Sequence, residues 1–519
     1  FLLLYSALMR HAEGPFYLNT LYDPGYVYLI NSLNLAQFTS PAHFDHPGTP
    51  VQIIGAVTLK ITHIFSSKTG DISTDVLSDP EYYLGMFHLV LTLINCLILF
   101  ISSVIIFNAT KNISVSILLQ LSPFVSYMVS YELSVISAET FLISVIMLLI
   151  AYSIKFISDQ KISMTNFVMI FAVICGSGLA TKITFAPLLI IPVVLLDSMK
   201  DKFRFIIYTG FSFLIFFLPS ISNISYFINW IKNLFLFDGL YGKGKQDVID
   251  FQAFLMNLRN IFSENLIFSI VLLLILFTFL ITFQKIKNYG KVEPIAKESK
   301  LLSAVFITML IQIIIVAKHY SGHYIVPAVM LTVTGLYLCI NLYSATGFKF
   351  SGKTTAGNVY ISIIVILILI TAFETRFNYQ HQITLKENAL ATIDFAEKVS
   401  GEGTLISSYG TSSKSYALAF STYWAGDNTA RYKKIIHDIY PDDLYYDFWG
   451  TKIYSISEEN SRNKTFPDNH KIYFQNRYAE SNERIIEDLN NNYNFRNYTI
   501  SNIFNSGNGE KIFEICQNK

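Results

Sequence analysis

The sequence predicts a polytopic α-helical membrane protein of about eleven spans, followed by a C-terminal α/β domain outside the membrane. Only 14% of the 519 residues are charged and 52% are hydrophobic, whereas ordinary soluble domains are about 25% charged. Long apolar runs recur up to residue 374 and stop beyond it. The net charge of +1 gives the chain no bulk basic character, so nucleic acid is not an expected partner.

Ten apolar runs are candidate spans, since a spanning helix needs roughly 20 such residues. A shorter run before Arg10 is interpreted as an eleventh span, truncated in this numbering. The two short runs on either side of Lys182 are expected to form broken or re-entrant helices. Residues 51–65 form an amphipathic pattern, which predicts an interfacial helix. The ten candidates are residues 84–108, 112–128, 137–157, 163–181, 185–198, 203–219, 266–284, 301–317, 325–346 and 357–374.

The distribution of basic residues predicts the orientation in the membrane. If the loop containing Asp23 lies outside, every inside connection carries lysine, and the short outside connection 129–136 carries no basic residue. The same count places residues 318–323 and everything after residue 375 on the side of Asp23. The polar candidates are therefore expected on one side of the membrane.

Composition divides the chain into two predicted domains. Residues 1–375 form the membrane domain, with a first external loop at 10–83, and residues 376–519 form an extramembrane α/β domain. In the second domain the patterns predict helices at 385–399, 411–424 and 479–490 and strands at 404–408, 471–475 and 511–516. The four cysteines show no ligand spacing, which gives no support to structural zinc or to a disulfide framework.

Residues 22–52 form a polar, turn-rich segment that contains the catalytic candidates. Asp23 and Asp45 are carboxylates in an expected extramembrane loop, where such a group can accept a proton as a general base. Asp23 precedes a proline at the start of a helical pattern, so helix capping is the alternative. Residues 45–50, DHPGTP, predict a rigid turn that projects Asp45 and His46. A plain tight turn before the next helix is the alternative there.

Two charged residues near the apolar runs are binding candidates. Lys182 lies in GLATKITFAP, and a charge in an apolar setting is a functional candidate because burial is costly without a partner. Snorkelling to the outer interface is the alternative. Glu139 lies at the start of a predicted span, where an acid also complements the helix dipole.

The segment KHYSGHY ends one predicted span and opens the next. Its donors Lys318, His319, His323 and Tyr324 suit a phosphate at headgroup depth. An interfacial aromatic belt explains the tyrosines, but it explains the two histidines and the lysine less well. A metal held by the two histidines is a further alternative. In the glycine-rich segment 239–244, Tyr241 is expected on a mobile lid.

These motifs resemble the GT-C superfamily of membrane glycosyltransferases, and most closely the bacterial relatives of protein O-mannosyltransferases, including the lipopolysaccharide-modifying sugar transferases. The segments that carry the resemblance are DPGYVYLINSLNL, DHPGTP, GLATK and KHYSGHYIVP. It covers the membrane part and is weak in the tail. It implies inverting transfer of a sugar from a polyprenyl-phosphate donor to a glycolipid, polysaccharide or protein. The implied location is the outer face of a bacterial inner membrane.

Carried over to this chain, Asp23 matches the base of that family, and Lys182, Lys318 and His319 would lie near the lipid phosphate. The second acidic residue of these families is often Asp. In this chain the candidate for that position, where it would help to position a sugar, is Glu139. The first loop has no obvious DxD motif, which argues against the metal-dependent branch. The resemblance therefore implies no metal or other cofactor.

Two other functions remain open. A lipid or solute transporter is disfavoured because the ionisable residues gather at one face and no repeat relates the two halves. An O-antigen ligase or polymerase shares an outer-face site and a lipid-linked donor. That donor would be a lipid diphosphate, so donor chemistry separates this alternative from the favoured one.

Overall fold

The computed structural model describes residues 1–45, 47–158, 163–239, 242, 244–247, 249–289, 293–345, 356–447, 452–456, 471–478, 480–493 and 498–517. Contacts divide the chain into two compact units. The first unit comprises residues 1–3, 44–51 and 91–376, and the second comprises residues 4–43, 52–90 and 377–519.

Helices dominate the described residues, and all the strands lie near the C-terminus. The helices are α1 (Leu2–Glu13), α2 (Tyr22–Ala36), α3 (Thr49–Ser66), α4 (Ile72–Ser78), α5 (Pro80–Thr110), α6 (Ile113–Gln120), α7 (Tyr127–Tyr131), α8 (Ala138–Ser158), α9 (Met164–Thr181), α10 (Ile190–Leu195), α11 (Met199–Phe217), α12 (Ile224–Leu236), α13 (Phe251–Glu264), α14 (Leu266–Tyr289), α15 (Glu293–Lys318), α16 (Val326–Val329), α17 (Thr332–Ala345), α18 (Ala356–Ser400), α19 (Lys414–Ser421), α20 (Thr429–Ile439) and α21 (Glu480–Asn492). The strands are β1 (Thr404–Ser407), β2 (Leu444–Asp447), β3 (Lys452–Ser455), β4 (Ile472–Asn476), β5 (Tyr498–Asn505) and β6 (Lys511–Gln517).

The chain is a polytopic helical membrane protein with a C-terminal α/β domain. Seven helical stretches of the described residues are long and apolar enough to cross a membrane, or eight if the bent pair α13 and α14 counts as one span. The predicted number of eleven is therefore not confirmed. The seven are Pro80–Thr110, Ala138–Ser158, Met164–Thr181, Met199–Leu236, Ala296–Lys318, Gly322–Ala345 and Gly357–Ser400.

The predicted span 112–128 is wrong as a single helix. Helix α6 ends at Gln120 and gives way to a 3-10 turn at Ser122–Phe124 that contains Pro123. Proline has no backbone N–H to continue the helical hydrogen bonds, and Ser126 is then fully extended before α7. The apolar run is long enough to span, but its backbone is broken twice.

The chain is also broken at Lys182, as the sequence predicts. Helix α9 ends there because Lys182 adopts an extended conformation, with φ −158° and ψ 135°. Seven residues of 3-10 helix, Ile183–Leu189, and the six residues of α10 follow. Together they are too short for the roughly 20 residues that a span needs, so the predicted span 185–198 is a short broken segment.

The predicted span 357–374 and the predicted helix 385–399 belong to one helix. Helix α18 runs for 45 residues from Ala356 to Ser400. The sequence has no proline in this range and only one glycine, Gly357, so nothing in the chain terminates the helix at residue 375. The change in composition at that position marks a change of environment along a continuous helix.

Close helix packing organises the first unit. Helix α9 packs against α8 and α11, and α15 packs against α10 and α17. Gly176 on α9 lies so close to α11 that an added Cβ would stand 2.4 Å from the Cβ of Ser212. Small residues at such positions let membrane helices approach closely, so this pair of helices tolerates no larger side chain at the crossing.

Among the described residues, a six-stranded sheet in the order β3-β2-β1-β4-β6-β5 organises the C-terminal part of the second unit. Strand β1 is parallel to β2 and β4, and the other pairings are antiparallel. The apolar core includes Ile406, Phe474 and, from α21, Leu489. The predicted strands at β1, β4 and β6 are confirmed. Strands β2, β3 and β5 were not predicted; β2 and β3 have four residues each, and β5 is largely exposed.

Helix α2 is held within the second unit by polar contacts to residues far along the chain. The side-chain amide of Asn34 donates to the carbonyl of Ala425 at 2.9 Å, and Gln37 donates to the hydroxyl of Tyr432 at 2.8 Å. Arg431 forms an ion pair with Asp71 at 2.6 Å. The helical pattern predicted to follow Asp23 is confirmed as part of α2. The side-chain amides of Asn34 and Gln37 bond this helix to the residues near Tyr432.

Candidate active site

Asp23 lies at a kink within α2. Its backbone is non-helical, with φ −107° and ψ 105°, between helical residues on either side. The carboxylate accepts a hydrogen bond from the hydroxyl of Tyr409, with 3.0 Å between Oδ2 and the phenolic oxygen. The carboxylate is therefore oriented by Tyr409, and its catalytic role stays a prediction beside the capping alternative.

The surroundings of Asp23 favour a proton acceptor. The residue is exposed to solvent, yet the protein packed around it raises the pKa of the carboxyl above its ordinary value. The hydrogen bond from Tyr409 and the charge of His43 lower that pKa by less. A carboxylate with a raised pKa is a stronger base near neutral pH.

Tyr409 is a site residue that sequence reasoning missed. It follows β1 in the loop that leads to α19, and its ring packs edge-on against Tyr22, with 6.0 Å between centroids. The next residue, Gly410, has φ +87°, which favours glycine, and its N–H donates to the hydroxyl of Tyr22 at 2.7 Å. The loop that contains Tyr409 is rich in Ser, Thr and Gly and follows a parallel strand, where ligand sites often form. This is the sequence feature that could have indicated the residue.

The first unit brings together four of the predicted residues. The ammonium of Lys182 donates to Oε1 of Glu139, and both side chains are only 3% exposed. Nε2 of His323 lies 3.8 Å from the same oxygen, and this imidazole is 34% exposed. The ring of Tyr324 lies 4.9 Å from the Lys182 nitrogen. Lys182 is therefore paired inside the protein, which excludes snorkelling.

The DHPGTP turn fixes the backbone beside Lys182. Pro47 forms an isolated antiparallel bridge with Lys182, and the N–H of Gly48 donates to the carbonyl of Thr181 at 3.0 Å. Gly48 has φ +71°, a conformation that favours glycine. The prediction of a rigid turn is confirmed for these residues.

The catalytic roles predicted for Asp45 and His46 stay predictions. Asp45 is half-buried and lies two positions before the bridging proline. His46 lies outside the described residues.

Lys318 and His319 contact the end of another helix. The Lys318 ammonium donates to the carbonyls of Leu234 and Phe235 at 2.7 and 3.0 Å, and Nε2 of His319 lies 3.1 Å from the Leu234 carbonyl. Burial lowers the pKa of His319. These donors thus satisfy carbonyls at the C-terminus of α12, and the phosphate role predicted for them stays a prediction.

The two histidines of KHYSGHY have different neighbours. Nδ1 of His323 lies 3.1 Å from the hydroxyl of Ser321, whereas His319 faces Leu234. Within the residues that the structure describes, no group of three or more His, Cys, Asp or Glu side chains could hold a metal ion. The histidine-pair alternative therefore gains no support from the geometry.

The predicted lid residue Tyr241 lies outside the described residues. Its described neighbours Gly242 and Gly244 have φ values of +69° and +96°, and the N–H of Lys245 donates to Asp238 at 2.8 Å. The segment around Tyr241 is therefore a tight turn at its described positions. Its function as a lid stays a prediction.

The fold and these two clusters define an integral membrane protein with ionisable side chains at helix ends and a C-terminal α/β domain, the organisation that the GT-C resemblance implies. The chain is similar to two crystal structures of ArnT from Cupriavidus metallidurans, one bound to undecaprenyl phosphate and one in the apo state. Their TM-scores are 0.46 and 0.49, with 10% identity over 99% of this chain and 96% and 97% of theirs. Comparison with protein-family models and with curated proteins gave no match.

Proposed function

We propose that this protein is an inverting GT-C-type glycosyltransferase that moves a sugar from a polyprenyl-phosphate donor to an acceptor on the outer face of the membrane. The observation that carries the proposal is Asp23, an exposed carboxylate whose pKa is raised and whose orientation is set by Tyr409. The acceptor is a glycolipid, a polysaccharide or a protein with a reactive hydroxyl.

In the proposed reaction Asp23 takes the proton of the acceptor hydroxyl. The acceptor oxygen then attacks the anomeric carbon from the side opposite the phosphate, and the bond from that carbon to the phosphate oxygen breaks. The configuration inverts, and the products are the glycosylated acceptor and polyprenyl phosphate. General-base catalysis of this kind contributes about 10²–10⁴-fold. Tyr409 acts as a positioning residue because it orients the carboxylate.

In the first unit, the ammonium of Lys182 is suited to bind a phosphate oxygen of the donor. A buried ion pair such as that of Lys182 with Glu139 seldom repays its desolvation cost through stability alone, which favours a functional reason for its presence. His323 is the exposed member of the group, so a phosphate oxygen would meet its imidazole first. In this proposal Glu139 keeps the lysine charged and positioned.

The proposal is tested by mass spectrometry of envelope glycolipids and glycoproteins from cells that contain or lack the protein. We expect one class of molecule to carry an additional sugar only when the protein is present. Asp23→Asn should abolish that addition while the protein remains folded, and Asp394→Asn, a change to an exposed acid on α18, should preserve it. Identical spectra with and without the protein would refute the proposal. Full transfer activity in the Asp23→Asn variant would show that Asp23 is not the general base.

A second candidate, a proton-coupled transporter, is favoured by one observation. Lys182 and Glu139 form a buried ion pair with the partly exposed His323 beside it, at the ends of membrane-spanning helices, and such groups also serve as proton relays. Proteoliposomes containing the protein and a fluorescent polyprenyl phosphate separate the two functions. Movement of the lipid between leaflets without covalent sugar transfer would favour the transporter.

A further inference from the structure

The second unit contains a cavity of about 640 Å³ between the end of α18, strand β1 and the start of α19. This volume lies within the roughly 300–1,000 Å³ typical of small-molecule sites. The walls carry tyrosine, serine and acidic side chains, so the cavity is suited to a polar ligand. Asp23 and Tyr409 do not line it.

The charges of the cavity favour an uncharged or cationic ligand with many hydroxyl groups. Glu397, Asp442 and Asp443 line it together with a single lysine, Lys414. Carboxylates only accept hydrogen bonds and an ammonium only donates them, so hydroxyl groups, which do both, satisfy the two kinds of side chain. Phosphate or uronate groups would meet three acids and are disfavoured.

Two aromatic rings complement these polar groups. Tyr17 and Tyr440 both line the cavity. Burial raises the pKa of both hydroxyls, and Asp443 and Tyr17 raise the pKa of Tyr440 further. An aromatic ring offers a flat apolar surface with a polar edge. A sugar ring has the matching shape, with an apolar C–H face and a rim of hydroxyls.

Part of the wall is held in place by a buried acid. Glu510 is fully buried and accepts hydrogen bonds from the hydroxyl of Ser412 at 2.6 Å and from its N–H at 3.0 Å. The side-chain amide of Gln475 donates to the same carboxylate at 3.0 Å. Both Ser412 and Gln475 line the cavity, so this part of the wall is preorganised without a ligand.

We propose that this cavity is a carbohydrate-binding site for a short neutral or amine-bearing oligosaccharide. The tyrosines pack against sugar rings, and Glu397, Asp442 and Asp443 accept hydrogen bonds from hydroxyl or ammonium groups. The site goes beyond the proposed transfer reaction and depends only on the residues of the cavity.

The test is binding of the full-length protein, labelled with a fluorophore in nanodiscs, to a printed array of neutral, amine-bearing and uronate-bearing oligosaccharides. We expect retention on neutral or amine-bearing members and none on uronates. Asp442→Asn and Tyr440→Ala should each raise the protein concentration at half-saturation about tenfold. Losing one hydrogen bond to a charged group, or a comparable contact, has an effect of this size. Asp438→Asn, an exposed acid on α20, should bind like the parent protein.

Three results would overturn the proposal of a carbohydrate site. They are no retention of any oligosaccharide, retention of uronates equal to that of neutral or amine-bearing oligosaccharides, or binding by both cavity variants equal to that of the parent protein. Failure of transfer activity is a separate outcome. Asp23→Asn should keep its array binding, so the carbohydrate site and the proposed transferase activity can fail independently.

Discussion

The hydroxyl of Tyr409 donates a hydrogen bond to Asp23 across 3.0 Å and joins side chains 386 positions apart in the sequence. The donor lies in the loop after β1, and the acceptor lies at the start of α2. The C-terminal α/β region therefore contributes to the environment of the proposed base. The sequence patterns of that region indicate no site residue.

Tyr409→Phe should shift the acidic limb of the pH profile of transfer to higher pH. The base works only when deprotonated, and the hydrogen bond from Tyr409 lowers the pKa of Asp23. Removing the hydroxyl raises that pKa, so activity falls at a higher pH than in the parent protein. The measurement is kcat/KM against pH. Tyr478→Phe is the matched control, because that ring stacks on Tyr409 without bonding to Asp23; an unmoved limb in Tyr409→Phe would contradict the assignment.

Changes to the Lys182–Glu139 pair should separate stability from catalysis. Lys182→Met alone leaves a buried carboxylate without its partner, which typically costs about 3–5 kcal/mol. The double variant Lys182→Met with Glu139→Met removes both charges and should recover most of that loss. Transfer should stay roughly a hundredfold lower in the double variant, as when one transition-state donor is removed.

Thermal unfolding in detergent and transfer rate are measured together for these variants. Recovery of both quantities in the double variant would mean that the ion pair is only structural. Recovery of stability alone supports a role for the lysine charge at the departing phosphate.

Gly48→Ala should destabilise the turn beside Lys182. Gly48 has φ +71°, and an L-residue in the left-handed region costs roughly 1–2 kcal/mol. We expect a lower free energy of unfolding and slower transfer, since the bridge between Pro47 and Lys182 depends on this turn. Gly85→Ala is the control, because a Cβ there meets no atom within 4 Å and alanine favours a helix. Parental stability in Gly48→Ala would show that the turn is not constrained.

Lys318→Ala should loosen the end of α12. The ammonium donates to the carbonyls of Leu234 and Phe235, and a cation at a helix C-terminus is typically worth about 0.3–1 kcal/mol. Hydrogen exchange should therefore accelerate in the last turn of α12, whereas Lys232→Ala, at an exposed position of the same helix, should leave it unchanged. Unaltered exchange together with weaker binding of polyprenyl phosphate would instead favour the phosphate role.

The sequence by itself determined that this is a polytopic helical protein, because hydropathy and helix propensity act over neighbouring residues. It also indicated that the chain breaks at Lys182, and it singled out Asp23, Glu139, Lys182 and His323 by residue type. These are local properties, and a window of about twenty residues contains the information that they need.

Tertiary structure decided the partners of those residues. Nothing in GLATKITFAP specifies Glu139 as the counter-ion of Lys182, and nothing near Asp23 points to Tyr409. It also decided that Lys318 binds carbonyls of α12, and that residues 112–128 do not form one span. Such contacts join positions tens to hundreds of residues apart, and the free energy that selects them comes from burial, which depends on how the whole chain packs and not on any one segment.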